Sequence, residues 1–227
     1  MKYIIFDFDG TIGDSQALIV RTFQDTMRKM GREVKSAEAC ANTIGMRLSE
    51  AFSLLYNTPI EDGEKCAQVY HKIFEENRAS LGMKPFPHVI DTIKELHKRG
   101  FVLAVASSRG RDSLMGFIHQ MDLADCISSV VAQEDVIHVK PEPDMVFKAL
   151  MEIAGRKVSK KDCHAFPDDL KAMLPETLVV GDMTFDVDMA HNAGVKACAV
   201  TYGSPAKACG LSIDSRKSKQ EEFSVYD

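Results

Sequence analysis

A chain of 227 residues is long enough to bury a sizeable core, either as one large domain or as a domain carrying a smaller insert. Its formal net charge of −5 gives no electrostatic reason to expect a nucleic acid or an anionic membrane as partner. Six cysteines (Cys40, Cys66, Cys126, Cys163, Cys198 and Cys209) lie far apart with no Cys-x-x-Cys spacing, which argues against a zinc site or a disulfide scaffold and for free thiols in a cytoplasmic protein.

The first apolar run, Tyr3 to Phe6, reads as a strand buried on both faces, because a parallel strand covered by helices needs no polar alternation. It is too short for a signal-peptide core or a membrane span, and no later run is long enough either. It ends on charge at Asp7-Phe8-Asp9-Gly10-Thr11. Alternation along a strand turns Asp7 and Asp9 to one side, within reach of one substrate or metal ion, although Asp and Gly also end strands in ordinary turns. Asp14 to Gly31 has helical spacing, with Asp14 or Ser15 as cap, and further helical patterns cover Leu48 to Tyr56 and Glu61 to Ser80. In the last of these, Cys66, Val69, Tyr70, Ile73 and Phe74 form an i, i+3, i+4, i+7, i+8 stripe. Asn42 to Arg47 is a polar, glycine-containing loop between helices.

After Pro85-Phe86-Pro87 the rhythm changes to alternation. A helix is predicted from His88 to Arg99, a strand from Phe101 to Ala106 ending in Ser107-Ser108-Arg109, a helix from Asp112 to Met121 and a strand from Ile127 to Ala132. A polar loop carries Lys140-Pro141-Glu142-Pro143 before a helix from Asp144 to Ala154. A strand at Leu178 to Val180 ends in Gly181-Asp182, and a helix from Thr184 to Asn192 leads to a last strand at Lys196 to Val200. This order predicts an α/β fold with a doubly wound parallel sheet. The all-helical stretch 15–84 does not fit the alternation and reads as an inserted cap domain, leaving a discontinuous core of 1–14 and 85–227.

Four strand ends or following loops thus carry polar groups in order. Asp7-Phe8-Asp9-Gly10-Thr11, Ala106-Ser107-Ser108, Lys140-Pro141-Glu142-Pro143 and Gly181-Asp182-Met183-Thr184-Phe185-Asp186 together resemble the four motifs of the haloacid dehalogenase superfamily, over about nine tenths of the chain. The helical insert directly after the first motif, with Ile44-Gly45 inside it and Pro85-Phe86-Pro87 at the return, is similar to the phosphoglycolate phosphatase-like subfamily. About a dozen residues around Lys160 to Pro175 are extra relative to that pattern, and the polar tail from Ser215 departs from it.

The resemblance implies a Rossmann-like core and a phosphatase acting on a small phosphorylated metabolite through an aspartyl-phosphate, as monomer or homodimer. Asp7, first in its motif, is then the nucleophile. Asp9 would protonate the leaving alcohol and later deprotonate the attacking water. Ser107, with amides near Gly10 and Ser108, would hold phosphate oxygens, and Thr11 and Arg47 join the substrate-binding set. Lys140 supplies a cation. Mg²⁺ would be held by Asp7, the Asp9 carbonyl and Asp182, with Asp186 direct or through water.

Each position also has a structural reading. Ser107 and Ser108 could cap the following helix, Asp182 and Asp186 could serve the first turn of theirs, and Arg47 could simply solvate a surface. A sugar-phosphate mutase or a pyrophosphatase would fit the same residues. Dehalogenases and phosphonate hydrolases are disfavoured because Asp9 is present. A non-catalytic phosphorylation-sensing module is disfavoured because receivers of that kind are about half this length and lack the insert.

Overall fold

A computed structural model describes residues 1–203 and the backbone of Phe223–Tyr226. Cys209 and the polar tail from Ser215 to Glu222 lie outside the described residues. In chain order the elements are β1 (Tyr3–Phe6), β2 (Gly13–Asp14), α1 (Gln16–Lys29), α2 (Ala37–Ala41), α3 (Leu48–Tyr56), α4 (Ile60–Leu81), β3 (Lys84–Pro85), α5 (Val89–Lys98), β4 (Val102–Ala106), α6 (Arg111–Gln120), β5 (Ile127–Val131), α7 (Asp144–Ile153), β6 (Thr177–Gly181), α8 (Thr184–Asn192), β7 (Lys196–Val200) and β8 (Phe223–Tyr226). Contacts divide the chain into an α/β unit, Met1–Ile12 with Pro85–Asp227, and a helical unit, Gly13–Lys84.

In the α/β unit the sheet runs β5-β4-β1-β6-β7-β8, with the first five strands parallel and β8 antiparallel to β7. The strand β1 is therefore central. Its four residues stand opposite Val102 to Val105 on one side and Thr177 to Val180 on the other. Strand order reverses there: the chain builds β4 and β5 to one side of β1, then β6 and β7 to the other. In an open α/β sheet this switch point opens a crevice at the carboxyl ends of the strands. The cluster Ile5, Ala104, Val179 and Ala197 packs with Met145, Val146, Ala149 and Leu150 of α7 and with Met189 and Ala190 of α8. Because successive strand residues face opposite ways, Ile4, Phe6, Leu103 and Val105 are buried on the other face.

The segment around Lys160 to Pro175 is part of this core. A 3₁₀ helix spans Asp168–Glu176, and Phe166, Leu170, Met173 and Leu174 pack against the cluster, with the Phe166 and Phe147 rings 5.1 Å apart. The five described cysteines are all free and buried. No helix among the described residues is long and apolar enough to cross a membrane.

The helical unit is built on α4, which packs against α1 and α3. Cys66, Tyr70 and Phe74 of its stripe are buried and Val69 and Ile73 half-buried. Phe23 and Phe52 close on Tyr70, with ring centroids 4.7 Å apart for the phenylalanine pair and 5.1 Å for Phe23 and Tyr70. One expectation fails locally: Ser15 takes the position before α1, but in a helical conformation and with no capping bond from its hydroxyl. The short α2 was not signalled by periodicity, and Ser36 caps it by accepting from the Ala39 amide at 3.1 Å.

Helices α3 and α4 approach so closely that a Cβ on Gly63 would run into the Ser49 carbonyl and lie 2.8 Å from Ser53 Oγ. Alanine is the better helix former by about 1 kcal/mol, but overpacking against backbone costs roughly 1–3 kcal/mol. Gly63→Ala is therefore expected to lower stability in chemical denaturation, and a gain would show that the helices are free to part.

Candidate active site

Three strands deliver the site. Asp7 follows the last residue of β1, and its amide donates to the Val180 carbonyl at 2.8 Å, so the carboxylate stands at the carboxyl edge of the sheet beside the end of β6. Ser107 follows β4, and Asp182 follows β6. Asp186 sits in the first turn of α8, where its Oδ2 accepts from the Met183 amide at 3.0 Å. Lys140 comes from the loop before α7 and is brought 133 residues back to the nucleophile candidate: its Nζ donates to Asp7 Oδ1 and, at 2.7 Å, to Asp186 Oδ1.

This group is removed from water. The Lys140 side chain is 1% exposed, and Asp7, Asp182 and Asp186 are buried. One oxygen from each of the three aspartates lies within 4.8 Å of the others. Burial pushes the Asp7 carboxyl well above the usual carboxylate range; the Lys140 ammonium opposes that shift, and the Asp186 and Asp182 charges reinforce it. Burial pulls the Lys140 ammonium down, yet Asp186 and Asp7 outweigh it and hold the group above its ordinary value.

Glycine is needed where these loops meet. Gly10 has φ +89°, and a Cβ there would fall inside the Asp182 carboxylate; a Cβ on Gly181 would do the same to Asp186. Gly203 lies against the Gly10 carbonyl, and the Tyr202 hydroxyl donates to the Thr11 carbonyl at 3.0 Å. Burial, with Asp182 and Cys198 adding to it, pushes the Tyr202 phenol up to about 12, so it remains a donor. The Thr11 hydroxyl reaches Asp182 Oδ1 at 3.5 Å. Gly10→Ala is expected to lose roughly 1–3 kcal/mol of stability from the strained conformation and the displaced carboxylate together, as read by thermal or chemical unfolding.

Asp9 is not held by this cluster. Its carboxylate accepts from both arms of Arg109, with Nε to Oδ2 at 3.0 Å and Nη2 to Oδ1. Arg109 was not singled out from the sequence; the available signal was a cation two residues beyond Ser107 at the same sheet edge. Its amide donates to Ser107 Oγ at 3.3 Å, so the phosphate candidate and the arginine share one turn. Ser108 Oγ is buried and has no hydrogen-bond partner among the described residues. Arg47 stands in the helical unit as the residue before α3.

A metal ion is well matched by these donors. Three buried carboxylates, all offering oxygen, suit a hard divalent cation such as Mg²⁺ and not a sulfur- or imidazole-seeking one. Three like charges so close repel by about 4 kcal/mol per pair at 4 Å and an effective dielectric of 20, which one lysine only partly offsets.

The model of the haloacid dehalogenase-like hydrolase family matches residues 4–200. The chain is 30% identical over 205 residues to a protein of Dickeya dadantii named "Probable phosphatase IndB", covering 88% of this chain and 81% of that one. It is likewise 30% identical over 204 residues to "Pyrophosphatase PpaX" of Halalkalibacterium halodurans, covering 88% and 83%. Among solved structures, a candidate haloacid dehalogenase-like hydrolase from Bacteroides fragilis superposes with a TM-score of 0.78 at 27% identity over 92% of both chains.

Proposed function

The chain belongs to the haloacid dehalogenase-like hydrolase family, and from that membership we propose that it is a Mg²⁺-dependent phosphatase of small phosphorylated metabolites. The observation that carries this reading is the buried convergence of Asp7, Lys140, Asp182 and Asp186 at the carboxyl ends of β1 and β6. Asp7 attacks phosphorus and forms an aspartyl-phosphate, splitting one slow displacement into two. The Lys140 ammonium, donating to Asp7, neutralises charge as carboxylate and phosphate close on each other. Ser107 and Ser108 receive phosphate oxygens, and the unpartnered Ser108 hydroxyl supports that role. Asp9 serves the leaving oxygen and then the attacking water. Mg²⁺ would be held by Asp7, the Asp9 carbonyl and Asp182, with Asp186 direct or through water, and would supply positive charge toward the phosphoryl group.

The helical unit is read as a cap that sets substrate choice, with Arg47 as its candidate anion contact. Phosphoglycolate, sugar phosphates and nucleotides fall within this class, as does pyrophosphate, whose hydrolysis is in the name of one relative. The test is phosphate release from such a panel by the metal-free protein and after Mg²⁺ is restored. Turnover that appears with Mg²⁺ and vanishes with chelator is expected; no release from any member with Mg²⁺ or Mn²⁺ across pH would overturn the reading.

A further inference from the structure

The charges at the sheet edge point to a residue that sorts substrates. Among the described residues the site of the α/β unit holds four carboxylates, Asp7, Asp9, Asp182 and Asp186, against two cations, Lys140 and Arg109. Lys140 is buried between Asp7 and Asp186 and paired with both. Arg109 is built differently. Its guanidinium is carried on apolar surface, 5.1 Å from the Phe117 ring centroid and 5.7 Å from that of Phe8, and its polar contacts include Asp9 and, at 2.9 Å, Ser113 Oγ. Stacking on two rings holds the plane of the fork while its N–H groups can pass from one acceptor to another.

The same fork occupies both oxygens of Asp9, the carboxylate that must face the leaving group in the phosphatase reading. A leaving group hydrogen-bonded to Asp9 therefore lies about two hydrogen-bond lengths from the guanidinium. A neutral leaving group offers nothing to draw the arginine away. One that carries its own carboxylate or phosphate offers a second planar or tetrahedral set of oxygens of the kind Arg binds in a bidentate way.

We propose that Arg109 is a specificity-determining residue: it exchanges Asp9 for a second anionic group on the substrate, so that the enzyme selects compact phosphate esters or anhydrides whose leaving portion is itself negatively charged. The exchange also frees both Asp9 oxygens at the moment the leaving group arrives, coupling recognition to readiness. This assignment rests on the phosphatase reading and adds to it a substrate class.

The test uses two non-hydrolysable probes that differ only in the second anion, phosphonoacetate and ethylphosphonate, titrated calorimetrically into the Mg²⁺-loaded full-length protein. In the wild type phosphonoacetate is expected to bind about ten- to a hundredfold more tightly, the range of one charge-assisted bidentate contact. In Arg109→Met that preference falls to within about threefold, through loss of phosphonoacetate affinity, while Arg109→Lys, a cation without the fork, retains an intermediate preference. A wild type that binds both probes equally, or a preference that survives in Arg109→Met, overturns the assignment of Arg109 and leaves the phosphatase reading standing. Failure of both probes to bind the wild type overturns the two together.

Discussion

Asp7→Asn is expected to lower kcat by about 10⁴–10⁶ and at the same time to make the metal-free protein more stable. The first effect follows from chemistry: an amide of the same shape cannot attack phosphorus, so only positioning and charge stabilisation remain. The second follows from the electrostatics of the cluster. Burial, with Asp186 and Asp182 adding to it and Lys140 opposing it, raises the Asp7 carboxyl well above the usual range. A carboxyl raised in the folded state favours folding below its unfolded pKa, about 3.9, and loses that contribution as pH rises through the folded value. At neutral pH, above the unfolded value, the buried Asp7 carboxyl therefore costs the wild-type fold stability that asparagine does not. Thermal melts in chelator are expected to rise by at least about 2 °C for Asp7→Asn at pH 7, with the gap closing as pH falls toward the unfolded value. Added Mg²⁺ should stabilise the wild type more than the variant, because binding to the folded state contributes in proportion to affinity. Wild-type turnover in the variant would remove Asp7 as nucleophile; a lower melting point in chelator would mean that the pair with Lys140 outweighs the burial of the charge.

The parts of this architecture that were legible in the sequence share a physical signature. A central strand buried on both faces must be continuously apolar, so the abrupt stop at Asp7 marks both the sheet edge and the candidate site. The ends of β4 and β6 are marked in the same way by Ser107 and Asp182, and Thr184–Asn192 and Lys196–Val200 coincide with the expected helix and strand. What was not legible lacks a local signature. The helix α2 has five residues, too few for a period to show. The 3₁₀ segment Asp168–Glu176 repeats every three residues, and its apolar side chains are anchored by a core assembled from distant strands. The capping expectation for Ser15 rested on residue type, whereas its backbone is already helical there. The pairing of Arg109 with Asp9 joins residues 100 positions apart, and only the parallel adjacency of β1 and β4 brings them together.

Lys140→Met provides the complementary experiment and should act in the opposite direction to Asp7→Asn. Methionine keeps much of the buried stem but removes the ammonium that donates to Asp7 and Asp186, leaving two buried carboxylates without their shared cation. Breaking a buried pair by deleting one partner costs roughly 3–5 kcal/mol, which for a chain of this size corresponds to a fall in melting temperature on the order of 10 °C in chelator. Turnover should fall by about 10²–10³, the loss typical of one preorganised charge-stabilising group. Saturating Mg²⁺ is expected to recover more of the melting temperature than of the rate, because a second cation can answer the repulsion among Asp7, Asp182 and Asp186 but cannot take the position of the Lys140 ammonium. Asp7→Asn should stabilise more in the Lys140→Met background than in the wild type, since there it removes one of the charges that the lysine no longer meets. Strict additivity of the two changes would mean that these side chains do not share an electrostatic cluster in solution. The metal site and the nucleophile would then have to be sought in different groups.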